Sequence, residues 1–551
     1  MVSFGAPLIV ALAFSLTFFL PFASFLPALL SFTFSVFSAP LAAPEAPPDC
    51  TEMGKKKKGR PRARKESAAS VALPEIQRDL GASFNDLRWV IDAYALTLAA
   101  TLLISGSLAD RIGRLRMFVI GLAIFAAGSL ACAFASDTLA LNIFRGVQGL
   151  GGAAMFATSL ALIGAVYSGR DRHTALAFWG GTSAGAMAVG PLIGGLLIGA
   201  IGWEAIFLFN VPAALAVWML VARGVPESRD PSVSGRPDFA GLVTIAGSMT
   251  LLVLGLFRGD DWGWGSSTTI GVFAGAAVLL LAFVVVELRV AKPLLDLALF
   301  RKASTIAASL GTHAVSFSVF AIFTFVALYL QSTLGHGAAG TGLRIFALTI
   351  SSFVAAVIAG RLATRVSLRA LFTTGLGLIG IGLLLMAVQI DAVSEWTALL
   401  AGGIVAGAGT GVALFAGSTV ALGAAPQAQS GMAAGLNSMF RMLGLAMGVA
   451  ALGTILEART SDRLAELLPG LDSEAVVDLA ATGNVELAAA SAPAGLQGEV
   501  AVAAQTAFVA GLDAAMLVAA LVALAGAALA FLLVREGDLH HGPTPQDVAA
   551  S

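Results

Sequence analysis

The chain has 551 residues, 58% of them hydrophobic and only 12% charged, with a mean hydropathy of +0.89. Ordinary soluble domains carry roughly 25% charged residues, so the composition excludes a soluble protein and requires one that lives in a bilayer. The formal charge of −1 offers nothing to nucleic acid, and Cys50 and Cys132 lie too far apart in sequence for a metal spacing or a disulfide framework.

Residues 5–43 are apolar, without a charge, and lack the basic flank of a signal peptide. A basic block, Lys55 to Lys65, follows. From residue 88 the pattern becomes regular. Apolar runs long enough to span a bilayer, which takes about 20 residues, fall at 88–109, 116–136, 139–167, 175–199, 204–222, 239–258, 268–286, 304–330, 342–362, 371–390, 396–422, 432–456 and 507–534. The expected fold is therefore all-α, with 13–14 transmembrane helices depending on the N-terminal run.

The loops have a side. Alternating crossings place Arg111, Arg114, Arg116, Arg170, Arg172, Arg223, Arg229, Arg236, Arg289, Lys292, Arg301, Lys302, Arg361, Arg365, Arg369 and Arg535 together. Only Arg258, Arg459 and Arg463 fall opposite. Clustered Lys and Arg mark the cytoplasmic side, so the C-terminus is expected in the cytoplasm and the segment 457–506 outside.

A repeat divides the chain. Gly106 to Phe118 aligns without gaps to Gly360 to Phe372, keeping the glycine, the Leu-Ala pair, the following arginine and the final phenylalanine. Thr364 stands in place of Asp110 and Ser367 in place of Gly113. Two related halves are the usual build of a secondary transporter, with the substrate path between them. The expected organisation is an atypical segment 1–70, an N-terminal bundle 71–222, an inserted helical pair with its linkers at 223–303, a C-terminal bundle 304–534 and a cytoplasmic tail 535–551.

Several motifs in this order resemble those of the major facilitator superfamily, in its fourteen-helix drug:proton antiporter branch. Gly106, Leu108, Ala109, Asp110, Arg111, Gly113 and Arg114 resemble the signature loop between its second and third helices. Leu141, Arg145, Gln148, Gly149 and Gly151 resemble its fourth-helix arginine motif, and Gly190, Pro191, Gly194 and Gly195 the fifth-helix antiporter motif. Trp89, Asp92 and Tyr94 match the same branch. The resemblance covers roughly residues 71–534 and implies proton-driven efflux of multiple drugs or antibiotics. The family's first helix ends in a Val-Ala-Leu-Pro segment. Here Val71 to Pro74 supplies that end, but Lys65 to Ser70 stands where the apolar body belongs. Residues 1–70 are therefore expected to be a mispredicted start, a frameshift product or an untypical replacement of that helix, and a product lacking the first helix need not work.

The chemistry-bearing residues follow. Asp110, with Arg111, Arg114, Gly106 and Gly113, is either a solvated topology marker or a gate. Its carboxylate can pair with arginine or with the positive end of a neighbouring helix, and the resemblance implies that it locks the two halves in one state. Asp92 lies just inside its helix. An acid at membrane depth is expensive and usually functional, so it is a proton-coupling candidate unless it is merely hydrated near the interface. Arg145 is expected either to meet an acid from another helix and take part in proton coupling or to anchor the helix at the interface. Gln148, Asn437 and Arg441 are weak candidates for substrate contact, with polar helix packing as the other reading for Arg441. Pro191 kinks its helix and the glycines beside it allow close approach; the resemblance adds a seal against leak. The expected partners are a drug-like small molecule, protons and lipid. No cofactor or metal is called for. No nucleotide-binding loop is present to suggest ATP drive, and no nucleophile constellation suggests an enzyme. The alternatives are a narrow exporter of one endogenous metabolite or antibiotic, and a non-transporting membrane receptor or sensor.

Overall fold

The computed structural model describes residues 79–80, 84–167, 171–181, 193–194, 197, 201–229, 238–290, 293–336, 338–391, 394–426, 429–469, 474–481, 483–493 and 495–539. The N-terminal apolar run, the Lys55–Lys65 block and the Val71–Pro74 segment lie outside the described residues, as do Gly190, Pro191 and Gly195.

Every regular element among the described residues is helical. The reason is solvation: hydrocarbon offers no partner for a backbone amide, so each apolar run must satisfy its own amides. The helices are α1 (Phe84–Ile112), α2 (Arg114–Ala133), α3 (Thr138–Val166), α4 (171–181), α5 (Glu204–Gly224), α6 (Phe239–Trp262) and α7 (Ser267–Glu287). They continue with α8 (Ala303–Gln331), α9 (Ala338–Leu362), α10 (Leu368–Gln389), α11 (Leu400–Ala424), α12 (Ser430–Leu467), α13 (Glu474–Ala481), α14 (Val485–Ala490) and α15 (Gln497–Leu533). Twelve of these are long and apolar enough to cross a membrane. They correspond one to one with the expected runs other than 175–199, most of which is not described. Short polar side chains start several helices. Asp137 accepts from Ala140 N–H (2.8 Å), which holds its carboxyl below the usual range, and Ser266 and Ser367 cap α7 and α10 the same way.

The repeat recurs as packing. In the first half α1 packs on α3, α2 on α3 and α2 on α5; in the second, α9 packs on α11, α10 on α11 and α10 on α15. The central helices are α3 and α8, whose spans are 83% and 89% buried inside the protein. α8 carries two π-helical turns, Ser316–Phe320 and Tyr329–Thr333. The inserted pair is peripheral: α7 is 17% buried and packs on α6, while α6 packs on α1 and, less extensively, on α12.

One expectation changes. The hydropathy pattern ends at Leu456 and resumes at Ala507, which suggests a loop. Instead α12 continues to Leu467 and α15 begins at Gln497, with α13 and α14 between them. Leu464, Val476, Ala480, Val485, Ala488, Val500 and Ala504 close an apolar core of their own. Alanine-rich sequence propagates a helix past the bilayer boundary wherever a partner covers its apolar stripe.

Candidate functional site

The two halves meet around Asp110. This residue lies in the last turn of α1 and is 5% exposed. Arg114 donates to its Oδ1 through Nε (2.8 Å) and a terminal nitrogen (2.7 Å). From the other half, Gly431 N–H donates to Oδ1 (3.0 Å) and Met432 N–H to Oδ2 (2.8 Å). These amides belong to the first turn of α12, where helical N–H groups have no partner of their own and the macrodipole is positive. One carboxylate thus satisfies a guanidinium and two orphan amides, bridging the N-terminal half to the C-terminal half. Of the two partners expected from sequence, arginine and a helix N-terminus, the structure supplies both.

Glycines make the crossing close enough. A side chain at Gly106 would strike the carbonyl of Gly431, and one at Gly431 would strike the Asp110 carboxylate. Gly435 also packs closely on Leu102 and Leu103. Gly113 has φ 114°, a left-handed conformation that glycine adopts without strain. Beyond it Arg114 N–H donates to Ser228 O (2.8 Å), and the Glu227 carboxylate accepts from Leu115 N–H (3.0 Å) and Arg116 N–H (3.1 Å). The α2 N-terminus is therefore capped by an acid 112 positions downstream. Arg111 is half-buried, at the turn beside this cluster.

Other contacts also join the halves. Gly360 of α9 packs on Ala177 and on the His173 carbonyl of α4. Phe178 meets Phe353 edge-on (5.8 Å), and His173 meets Phe415 of α11 (6.0 Å). Deeper in, Arg441 of α12 is 2% exposed, with its guanidinium over Trp179 (5.1 Å) and Phe156 (5.6 Å) of the opposite half. Arg441 therefore belongs to the contact between halves. Asn437, one turn before it, accepts from Thr312 (2.9 Å) within its own half.

Arg145 is fully buried in a separate polar cluster. Its Nε donates to Val90 O (2.7 Å), and its terminal nitrogen to Gln148 Oε1. Gln148 donates to Ser129 Oγ (2.6 Å), which Asn210 also reaches (3.3 Å). The guanidinium lies over Tyr94 (4.5 Å) and Phe207 (5.7 Å). The acid partner expected for Arg145 is not among the described residues. A backbone carbonyl and an amide oxygen serve instead, because Gln148 lies one turn along the same helix, within reach of the guanidinium. The other reading, an arginine anchored at the interface, does not describe a fully buried side chain.

Asp92 also has a partner that sequence did not indicate. It pairs with Arg258 of the inserted helix α6 (3.0 Å), itself 5% exposed, which also reaches Asp261 (3.5 Å) and lies over Trp89 (5.0 Å). Asp92 is 4% exposed, so the hydrated reading does not hold. Below it Ala99 packs with Leu96 and Val253, so this face is packed against α6. Of the fifth-helix glycines only Gly194 is described, helical and buried.

Glu227, Arg258, Phe156, Trp179, Ser129 and Asn210 were not singled out from sequence. Gly431 and Gly435, four apart and starting an apolar helix, are the one local signal that marks a close crossing there. The rest are distant in sequence from the groups they meet.

Residues 65–311 and 308–465 match the family model described as Major Facilitator Superfamily. The tetracenomycin C resistance and export protein of Streptomyces glaucescens is 32% identical over 496 residues, 88% of this chain and 91% of that protein. The multidrug resistance protein Stp of Mycobacterium tuberculosis is 34% identical over 397 residues, 72% of this chain and 73% of its own. Among solved structures, the human organic anion transporter MFSD10 aligns with a TM-score of 0.56 at 15% identity, covering 95% of this chain and 98% of that one, a likeness of fold. Two helical halves joined through Asp110, with twelve described spans and these relatives, make the chain a multi-pass membrane transporter of the major facilitator superfamily.

Proposed function

We propose that this transporter exports amphipathic organic compounds across the cell membrane in exchange for protons, with its C-terminus in the cytoplasm. The observation that carries this reading is the Asp110 bridge onto the first turn of α12, which ties the two halves together. A lock there favours one of two states, and a ligand or proton that binds the other state better shifts the balance. The names of the relatives supply efflux and the chemical breadth of cargo. Arg441, framed by Phe156 and Trp179, lies at the meeting of the halves and is the best placed of the three substrate candidates; Gln148 and Asn437 sit in polar contacts nearer the core of each half.

Proton coupling falls to Asp92 and Arg145. Protonating Asp92 would release Arg258, and breaking a buried pair by removing one partner costs about 3–5 kcal/mol, ample to change how α6 sits on α1. The Asp92→Asn variant separates roles. If Asp92 only balances Arg258, the double variant Asp92→Asn/Arg258→Gln regains export. If it carries the proton, export stays lost in both.

The test is expression in a drug-sensitive host, with accumulation of a fluorescent cationic dye and of neutral antibiotics measured before and after a protonophore. Reduced accumulation that the protonophore abolishes is expected; export indifferent to the protonophore overturns proton drive, and no export of any compound favours a receptor or sensor. A narrow exporter is the second reading, favoured by one observation: the relative named for tetracenomycin C matches more of both chains than the multidrug relative. Protection against one compound out of a broad panel decides for it.

A further inference from the structure

The inserted pair hides two acids that neither the Asp110 bridge nor the Asp92 pair uses. Asp238 stands immediately before α6 and Glu287 is the last residue of α7; they are 7% and 5% exposed. Both carboxylates converge on Gly241, where an added Cβ would sit 2.5 Å from Asp238 Oδ2 and 2.6 Å from Glu287 Oε1. Each acid has one occupied oxygen: Asp238 Oδ1 accepts from Gly241 N–H (2.9 Å), and Glu287 Oε2 from Leu295 N–H (3.2 Å). The other two oxygens, Asp238 Oδ2 and Glu287 Oε1, are buried, reach the same space beside Gly241 and have no hydrogen-bond partner. Leu242, Phe283, Leu294 and Leu295 belong to the apolar cluster that covers this spot.

No cation among the described residues answers them. Among the described charged groups of the elements packed nearby, Arg289 and Arg301 are exposed, and Lys302 donates to Ala424 O. Asp296 accepts from Ala298 N–H, Arg114 is spent on Asp110, and Arg111 has partners of its own. Arg236 and Lys292 lie outside the described residues. Two carboxylates sharing a desolvated site cannot both ionise, and an unpaired buried charge is far too costly. One proton held between the two acids resolves both problems, since it leaves a single charge in the site.

We propose that Asp238 and Glu287 share one proton, forming a proton-binding site at the foot of the inserted helical pair. It is separate from the coupling assigned to Asp92 and Arg145. Its position joins it to the gate: Leu295 N–H rests on Glu287, the next amide, Asp296 N–H, contacts Met432 Sδ (3.3 Å), and Met432 N–H is held by Asp110. Loss of the proton places two negative charges in an apolar site and drives α6 and α7 apart at this end, pulling on the linker that touches α12.

The test uses the full chain purified in detergent, with Glu287→Gln and Asp238→Asn. Infrared difference spectra are recorded as pH is raised past the ordinary carboxylate range, about 4. A protonated-carboxyl C=O signal that persists above that range in the wild type and is lost when both acids are replaced, in Asp238→Asn/Glu287→Gln, is the expected result; an identical signal in that double variant overturns the proposal. Thermal unfolding gives a second reading that needs no variant to fold. Losing the shared proton charges the folded site, so the wild-type midpoint should drop as pH is raised through that loss, and the Asp238→Asn/Glu287→Gln midpoint should drop less. A wild-type curve without that drop overturns it. So does a rise in the wild-type midpoint with sodium or calcium at alkaline pH that Glu287→Gln lacks, since the occupant is then a metal cation.

Discussion

The two repeated turns, Gly106–Phe118 and Gly360–Phe372, descend along the same course but are wired differently. Both begin with a glycine pressed against the opposite half, Gly106 on Gly431 and Gly360 on Ala177, and both end in a fully buried phenylalanine. Between these fixed points they diverge. Asp110 is buried and bridges to α12, whereas Thr364 is exposed and donates to the carbonyl of Arg361 in its own turn (3.0 Å). Gly113 turns through a left-handed conformation so that Glu227 can cap α2 from afar; Ser367 caps α10 with its own hydroxyl (3.2 Å). The repeat conserves what packing needs. The asymmetry concentrates charge at one turn, so a lock between halves operates there and a plain reversal at the other.

Four experiments break or sharpen that contrast, in descending order of effect. Asp110→Asn should abolish export while leaving the protein in the membrane, because an amide carries no charge to hold both Arg114 and two helix amides; hydrogen bonds to a charged group are worth about 1.5–3 kcal/mol each. Wild-type efflux from a variant present at normal levels in membrane fractions would reduce Asp110 to a topology marker. Next, Gly106→Ala should impair export more than Gly360→Ala, since the first meets a backbone carbonyl and the second chiefly the Ala177 methyl. Equal initial efflux rates for the two would show that the turns bear alike. Glu227→Ala removes the distant cap on α2, which should cost about 1 kcal/mol of stability, the usual worth of a helix cap, and lower the unfolding midpoint with export reduced but present. An unchanged midpoint would mean that solvent replaces the cap. Smallest of all, Thr364→Asp puts an acid into the second turn. The position is exposed and has no helix N-terminus to meet, so export should be unaltered, and the change should not rescue Asp110→Asn in the double variant. Rescue would make the two turns interchangeable.

Much of the fold was legible because a bilayer imposes a one-dimensional rule: about 20 apolar residues make one span. The runs at 116–136 and 239–258, for example, return as α2 and the spanning part of α6 within a few residues. The rule stops at the water boundary, which is why the helices through 457–506 escaped it: there, covering partners rather than hydropathy decide where α12 and α15 end. At the site, Asp110 and Arg114 were legible as a pair because they lie one turn apart. Asp92 was legible as a costly acid, but not its partner Arg258, which comes from the inserted pair 166 positions on.

Sequence by itself determined the solvent, the spans, the repeat and which turn kept the acid, since each follows from local composition or from self-similarity along the chain. Tertiary structure alone decided which charges meet. Asp110 on Gly431 and Met432, Glu227 on Leu115, Arg258 on Asp92 and the shared cradle of Asp238 and Glu287 are all contacts between distant parts of the chain. The physical reason is desolvation. A buried charge must find a partner in space, and helix crossing geometry, not sequence spacing, determines which partners are within 3 Å.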